Sequence, residues 1–137
     1  MQVHKRVRYA GYEFRTVESQ RDLATDNSNV RVPYRGSRGR IVDYYGQIHR
    51  ILTHQAWRDG PTICLLEVQW YQLKGKSEGS GNPLVLPPSG DTELVVVGNC
   101  YQVPVAVWPH NPLGLPSNLE HGLMEVIDRN QDEQIQM

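Results

Sequence analysis

The sequence predicts a small, mainly β, single-domain barrel. Three observations carry that expectation: apolar and polar residues alternate in several short runs, turn-forming residues punctuate them, and 137 residues suffice for one core only. Val7–Val17 alternates around Gly11, which predicts a strand with a bulge or tight bend at the glycine. Residues 18–29 are polar and turn-rich and predict a loop. A short strand at Val30–Tyr34 follows, then an exposed connector, Arg35-Gly-Ser-Arg-Gly-Arg40.

The centre of the chain holds the strongest hairpin signal. Tyr44–Leu52 and Thr62–Leu73 are both rich in β-branched and aromatic residues, and Asp59-Gly-Pro61 supplies the turn between them. Cys64, Leu66, Val68 and Trp70 share one face of the second strand, while Glu67 and Gln69 take the other. Residues 74–92 are dense in Gly, Ser and Pro and predict a long loop. Glu93–Val97 has the composition of a fully buried strand. Tyr101–Trp108 alternates, but Pro104 cannot donate to a ladder, which places that strand at an edge or bulge. Ser117-Asn-Leu-Glu120 has capping-box spacing and predicts one short helical turn. Leu123–Ile127 reads as a last strand or as the continuation of that helix, closing a domain over residues 1–128. Residues 129–137 form a polar tail.

Composition excludes several classes. The chain has no run of 18 apolar residues, and its first residues, Met1-Gln2-Val3-His4-Lys5-Arg6, lack the apolar stretch of a signal peptide. Two cysteines, Cys64 and Cys100, do not make a disulfide scaffold. A soluble intracellular domain is the expectation. The net charge of −1 conceals an asymmetry: residues 1–50 carry ten basic against five acidic side chains, and residues 51–137 carry four against ten. Nine of the first ten are arginine, suited to phosphate, so Arg31, Arg35, Arg38 and Arg40 are candidate nucleic-acid contacts. The other reading is mutual neutralisation across one folded surface.

The sequence offers little chemistry. The five histidines are scattered, neither cysteine has a metal-ligand neighbour, and no nucleophile elbow or phosphate-binding glycine loop is present. No catalytic residue, metal or cofactor is therefore expected. The aromatics are more informative. Tyr44-Tyr45, Trp57, Trp70-Tyr71, Tyr101 and Trp108 fall on or beside expected strands. Core filling accounts for some of them. In a strand, however, adjacent aromatics point to opposite faces, so one of each pair reaches the rim. Converging rings there would attract a methylated ammonium, which makes Tyr45, Trp70, Tyr101 and Trp108 the candidate peptide-binding residues.

Several segments, in order, resemble a domain of unknown function in plant En/Spm (CACTA) transposon proteins. They are Gly11-Tyr-Glu-Phe-Arg-Thr16, Thr25-Asp-Asn-Ser-Asn-Val-Arg-Val32, Asp43-Tyr-Tyr-Gly-Gln-Ile-His-Arg-Ile51, Leu65-Leu-Glu-Val-Gln-Trp-Tyr71, Asn111-Pro-Leu-Gly-Leu115 and Leu123-Met-Glu-Val-Ile-Asp128. Asn29 and Pro116 depart from that pattern. The pairing of Tyr44–Ile51 with Val68–Tyr71 is also similar to the bromo-adjacent homology (BAH) module, a mostly β domain of chromatin proteins. The resemblance implies a nuclear, non-catalytic interaction module of mobile-element origin. The BAH resemblance implies a protein partner such as a histone tail; the alternatives are DNA, through the arginine-rich 31–40 segment, or an assembly role in which the edge strand containing Pro104, or the closing segment, pairs with another chain. The transposon resemblance implies no strand-transfer activity, because the chain has no room for a transposase catalytic domain.

Overall fold

The computed structural model describes residues 1–20, 28–55, 57–100, 105–109 and 123–128. The chain is a small, mainly β domain, and among the described residues there is no α-helix. Eleven strands are described. They are Gln2–His4 (β1), Arg6–Tyr9 (β2), Tyr12–Arg15 (β3), Asn29–Arg35 (β4), Ile41–Gln55 (β5), Thr62–Trp70 (β6), Gln72–Lys76 (β7), Pro83–Leu86 (β8), Thr92–Val96 (β9), Val105–Pro109 (β10) and Met124–Asp128 (β11). One sheet runs β1-β5-β6-β9 with β4 also paired to β5, a second runs β10-β11-β8-β7, and β2 and β3 form a hairpin. These sheets do not close into a barrel among the described residues. The helical turn expected at Ser117–Glu120 and the tail 129–137 lie outside the described residues.

β5 organises the first sheet. It pairs β4 along its first half and β1 further on, while β6 takes its opposite edge from Gly46↔Trp70 to Gln55↔Thr62. Ile48 and Ile51 are both fully buried in one core, although they stand three positions apart and a strand alternates every two. A bulge resolves the conflict. The register with β6 jumps between Ile48 and Arg50, so His49 is the extra residue and the core-facing set shifts by one beyond it. Leu66 and Val68 of β6 complete this layer with Phe14, Val30 and Val32, and Cys64 and Trp70 pack against its margin. The shared face expected of β6 is therefore present.

The second core, Tyr45, Tyr71, Val85 and Val126, lies between the other face of β5 and the second sheet. The Tyr71 hydroxyl donates to Asn29 Oδ1 at 2.6 Å, tying the end of β6 to the start of β4.

Two expectations are corrected, and two open alternatives are decided. Residues 74–92 are not one loop: they contain the end of β7, all of β8 and the start of β9. Their glycine and serine content serves a tight connection, in which Ser77 N–H donates to Asn82 O at 2.8 Å, and a register shift beside Gly75 at φ 111°. At Gly11 the tight bend, not the bulge, is the alternative realised, and it reverses the chain between β2 and β3. Ala10 and Gly11 both have positive φ, 52° and 86°, the backbone of a two-residue hairpin turn. Glu93–Val97 does not form a fully buried strand. β9 ends its sheet among the described residues, Val95 faces the core, and Leu94 and Val96 stay 51% and 43% exposed. Of the two readings of Leu123–Ile127, the last strand is the one found, as Met124–Asp128, because β11 has partners on both sides in β10 and β8.

Candidate functional site

Period-two alternation places Val30, Val32 and Tyr34 of β4 on the same face as Val42, Tyr44 and Gly46 of β5, and the register sets Gly46 against Trp70 of β6. The inner part of this face is the buried core. Towards the ends of the strands it opens, and Tyr34, Tyr44 and Trp70 emerge together. Tyr34 and Tyr44 are 38% and 39% exposed, and Trp70 is half-buried.

The three rings stand at steep angles to one another. Centroids are 5.5 Å apart for Tyr34–Tyr44, 6.0 Å for Tyr34–Trp70 and 6.1 Å for Tyr44–Trp70, with interplanar angles of 76°, 75° and 65°. They line a cleft of about 640 Å³ together with Val42, Leu73 and Glu93. Glu93, at the near end of β9, accepts the Trp70 indole N–H at 2.8 Å. That bond fixes the ring and brings one carboxylate to an otherwise aromatic wall. Gly46 makes the arrangement possible: a Cβ there would lie 2.1 Å from Val68 Cγ1 and 3.0 Å from Trp70 Cε3. Burial is the main cause holding the Tyr34 phenol above its usual titration range, and the Glu93 charge adds to it.

A second cavity of about 420 Å³ lies on the opposite side of β5, lined by Ile41, Asp43, Tyr45 and Leu73 and by Lys76 and Pro83 of the second sheet. Between the two cavities β5 and the β6–β7 ribbon part company. Their ladder ends at Gly46↔Trp70, followed by one more bond in which Tyr71 N–H donates to Tyr45 O at 2.9 Å.

Of the candidate peptide-binding residues, only Trp70 is placed in the cleft. Tyr45 is corrected: it is 5% exposed and belongs to the second core, because alternation turns it to the face opposite its neighbour Tyr44. Tyr101 lies outside the described residues, and the backbone of Trp108 sits in β10 opposite Glu125. The arginines do not form one surface. Arg38 sits within an exposed 3₁₀ turn at Ser37–Gly39 that Arg35 and Arg40 flank, with Arg35 also at the cleft margin, whereas Arg31 is half-buried on β4 opposite Tyr45. Sequence reasoning missed Tyr34 and Glu93, which stand 59 residues apart in the chain and meet only through the β4-β5-β6-β9 register.

Among the described residues no group of His, Cys, Asp and Glu is arranged to hold a metal, and no helix is long and apolar enough to cross a membrane. Burial pushes the Cys100 thiol up to about 12 and raises that of Cys64 as well, so both are poor nucleophiles at neutral pH. The chain matches no protein-family model, no curated protein and no solved structure, so the geometry of the cleft is what bears on function.

Proposed function

We propose that this chain is a non-catalytic interaction module that binds a protein segment through a cationic side chain seated in the Tyr34–Tyr44–Trp70 cleft. The observation that carries this reading is the meeting of three steeply inclined rings with one carboxylate. Aromatic faces attract a cation electrostatically, and the attraction favours a methylated ammonium because less hydration is lost on entry. Glu93 supplies the balancing charge. A histone tail carrying methylated lysine has this chemistry. The sequence resemblance of Tyr44–Ile51 and Val68–Tyr71 to the BAH module is what suggests such a partner and a nuclear setting.

The test is calorimetric titration with lysine-containing tail peptides in unmodified, mono-, di- and trimethylated forms. Methylated peptides should bind more tightly, and Trp70→Ala should weaken binding about tenfold, the loss of one or two cation–π contacts at about 0.5–2 kcal/mol each. Tyr44→Ala, at a more exposed ring, should weaken binding while leaving the fold intact. Absence of binding to every peptide, or affinity indifferent to both substitutions, overturns the reading.

A further inference from the structure

We infer that the open edge of β5 beside the aromatic cleft is a strand-acceptor site, at which the bound segment adds itself to the sheet in extended form and presents neighbouring side chains to the two cavities. This rests on the proposed cation-binding role of the cleft and specifies how the partner backbone is held.

The backbone accounting points to that edge. In an antiparallel strand, alternate residues turn both N–H and C=O to the same side. Tyr45 O accepts from Tyr71, so Tyr45 faces β6, and Asp43 and Ile41 turn their backbone groups the same way. Ile48 N–H donates to Ser28 O at 2.8 Å, which sends the even-numbered set towards β4. The ladder with β6 stops at Gly46, and among the described residues no strand pairs that side of Ile41–Tyr44. Across the gap β7 pairs only β8 among the described residues, and all five of its residues are exposed. Leu73 lines both cavities, so they flank a single gap.

The side chains define the occupant. The aromatic cavity lies on the Val42–Tyr44 face, where three inclined rings and the Glu93 carboxylate favour a cation, while Arg35 stands at its margin. The second lies on the Ile41–Asp43–Tyr45 face, where Ile41, Leu73 and Pro83 offer apolar surface. Adjacent residues of an extended segment point to opposite faces. The partner is therefore an extended peptide in which a lysine-type cation stands next to an apolar residue. Main-chain bonds to Ile41 and Asp43 supply affinity, and the two cavities supply selection, as in other strand-addition complexes.

The test uses the tightest methyl-lysine peptide from the titration, N-methylated at one backbone position at a time around the lysine. Strand addition predicts a period of two: methylation at alternate positions weakens binding about tenfold or more, and methylation between them leaves it within about twofold. Hydrogen exchange by NMR supplies a second readout. The amides of Ile41 and Asp43 should gain protection in the complex, while those of Val42 and Tyr44, already directed to β4, should not. A flat or non-alternating scan, or no gain at Ile41 and Asp43, overturns the strand mode. If the peptide still binds and Trp70→Ala still weakens it, the cation-binding reading survives that result. Failure of every parent peptide to bind overturns both.

Discussion

Gly46 is the residue on which the cleft geometry turns. It lies at the last β5–β6 register pair, and the space a side chain would need is taken by Val68 and Trp70. Gly46→Ala should destabilise the domain by about 1–3 kcal/mol, the usual cost of overpacking, and should displace the Trp70 ring from Glu93. Urea denaturation checks the first effect, and methyl-lysine peptide affinity of the still-folded fraction checks the second. Single residues also show how legibility varies. Leu66, Val68 and Trp70 announce a shared face because polar Glu67 and Gln69 separate them, and the same alternation extends it to Cys64. Tyr44-Tyr45-Gly46 carries no such contrast. One ring had to face each way, and the choice between them is made by the bond from Tyr71 to Tyr45 and the packing of Tyr45 on Val85 and Val126.

At the scale of elements, β5 shows how one inserted residue keeps a 15-residue strand facing a single core. Deleting His49 would remove the bulge and turn Ile51 out of the core. The expected loss is about 2–5 kcal/mol, comparable to deleting a large buried aliphatic side chain, and for a domain this size that approaches unfolding. His49→Ala keeps the residue count and forgoes only the bond to Gln69 Oε1 at 3.1 Å, so it should cost about 1 kcal/mol or less. Circular dichroism melting of the two variants side by side separates these outcomes. The hairpin of β5 and β6 was readable because its composition and its Asp59-Gly60-Pro61 turn agree. β7 and β8 were not, since Gly75, Gly79 and Gly81 dilute the pattern and β8 is held by partners on both edges, one of them β11 some forty residues later. Glu93–Val97 misled for the opposite reason. An apolar run signals burial on both faces, but β9 pairs only β6 among the described residues and leaves Leu94 and Val96 outward.

For the molecule as a whole, the two cores are joined by strands that serve both, so a titration inside one is felt as global stability. Cys100 lies in the first core, where burial chiefly, and Cys64 secondarily, lift its thiol from an ordinary 9.0 to about 12. Between those values the unfolded chain gives up a proton that the folded chain keeps. Stability therefore falls as pH rises through that window, and below it Cys100 adds no pH dependence. Cys100→Ala should flatten that alkaline decline relative to the parent, measured as denaturant midpoints across the alkaline range. The charge asymmetry also takes on a shape at this scale. β4 and β5, from the arginine-rich first half, lie beside β6 and β9 from the acidic second half, and Arg50 of β5 donates to Glu67 of β6 at 2.9 Å. Neighbouring strands neutralise each other, which explains a total near zero without a divided molecule. That pair holds the Glu67 carboxyl below its usual range, through its bond to Arg50 first.

Glu93 has a further consequence for solubility. Among the described residues β9 pairs on one side only and carries outward Leu94 and Val96, the kind of edge on which a second chain can nucleate, and Glu93 is its one formal charge. The carboxylate that positions Trp70 is also the gatekeeper of that edge. If the cleft binds a cation as proposed, recognition and resistance to aggregation share one side chain, and neutralising it should weaken that binding and leave a stickier protein at once.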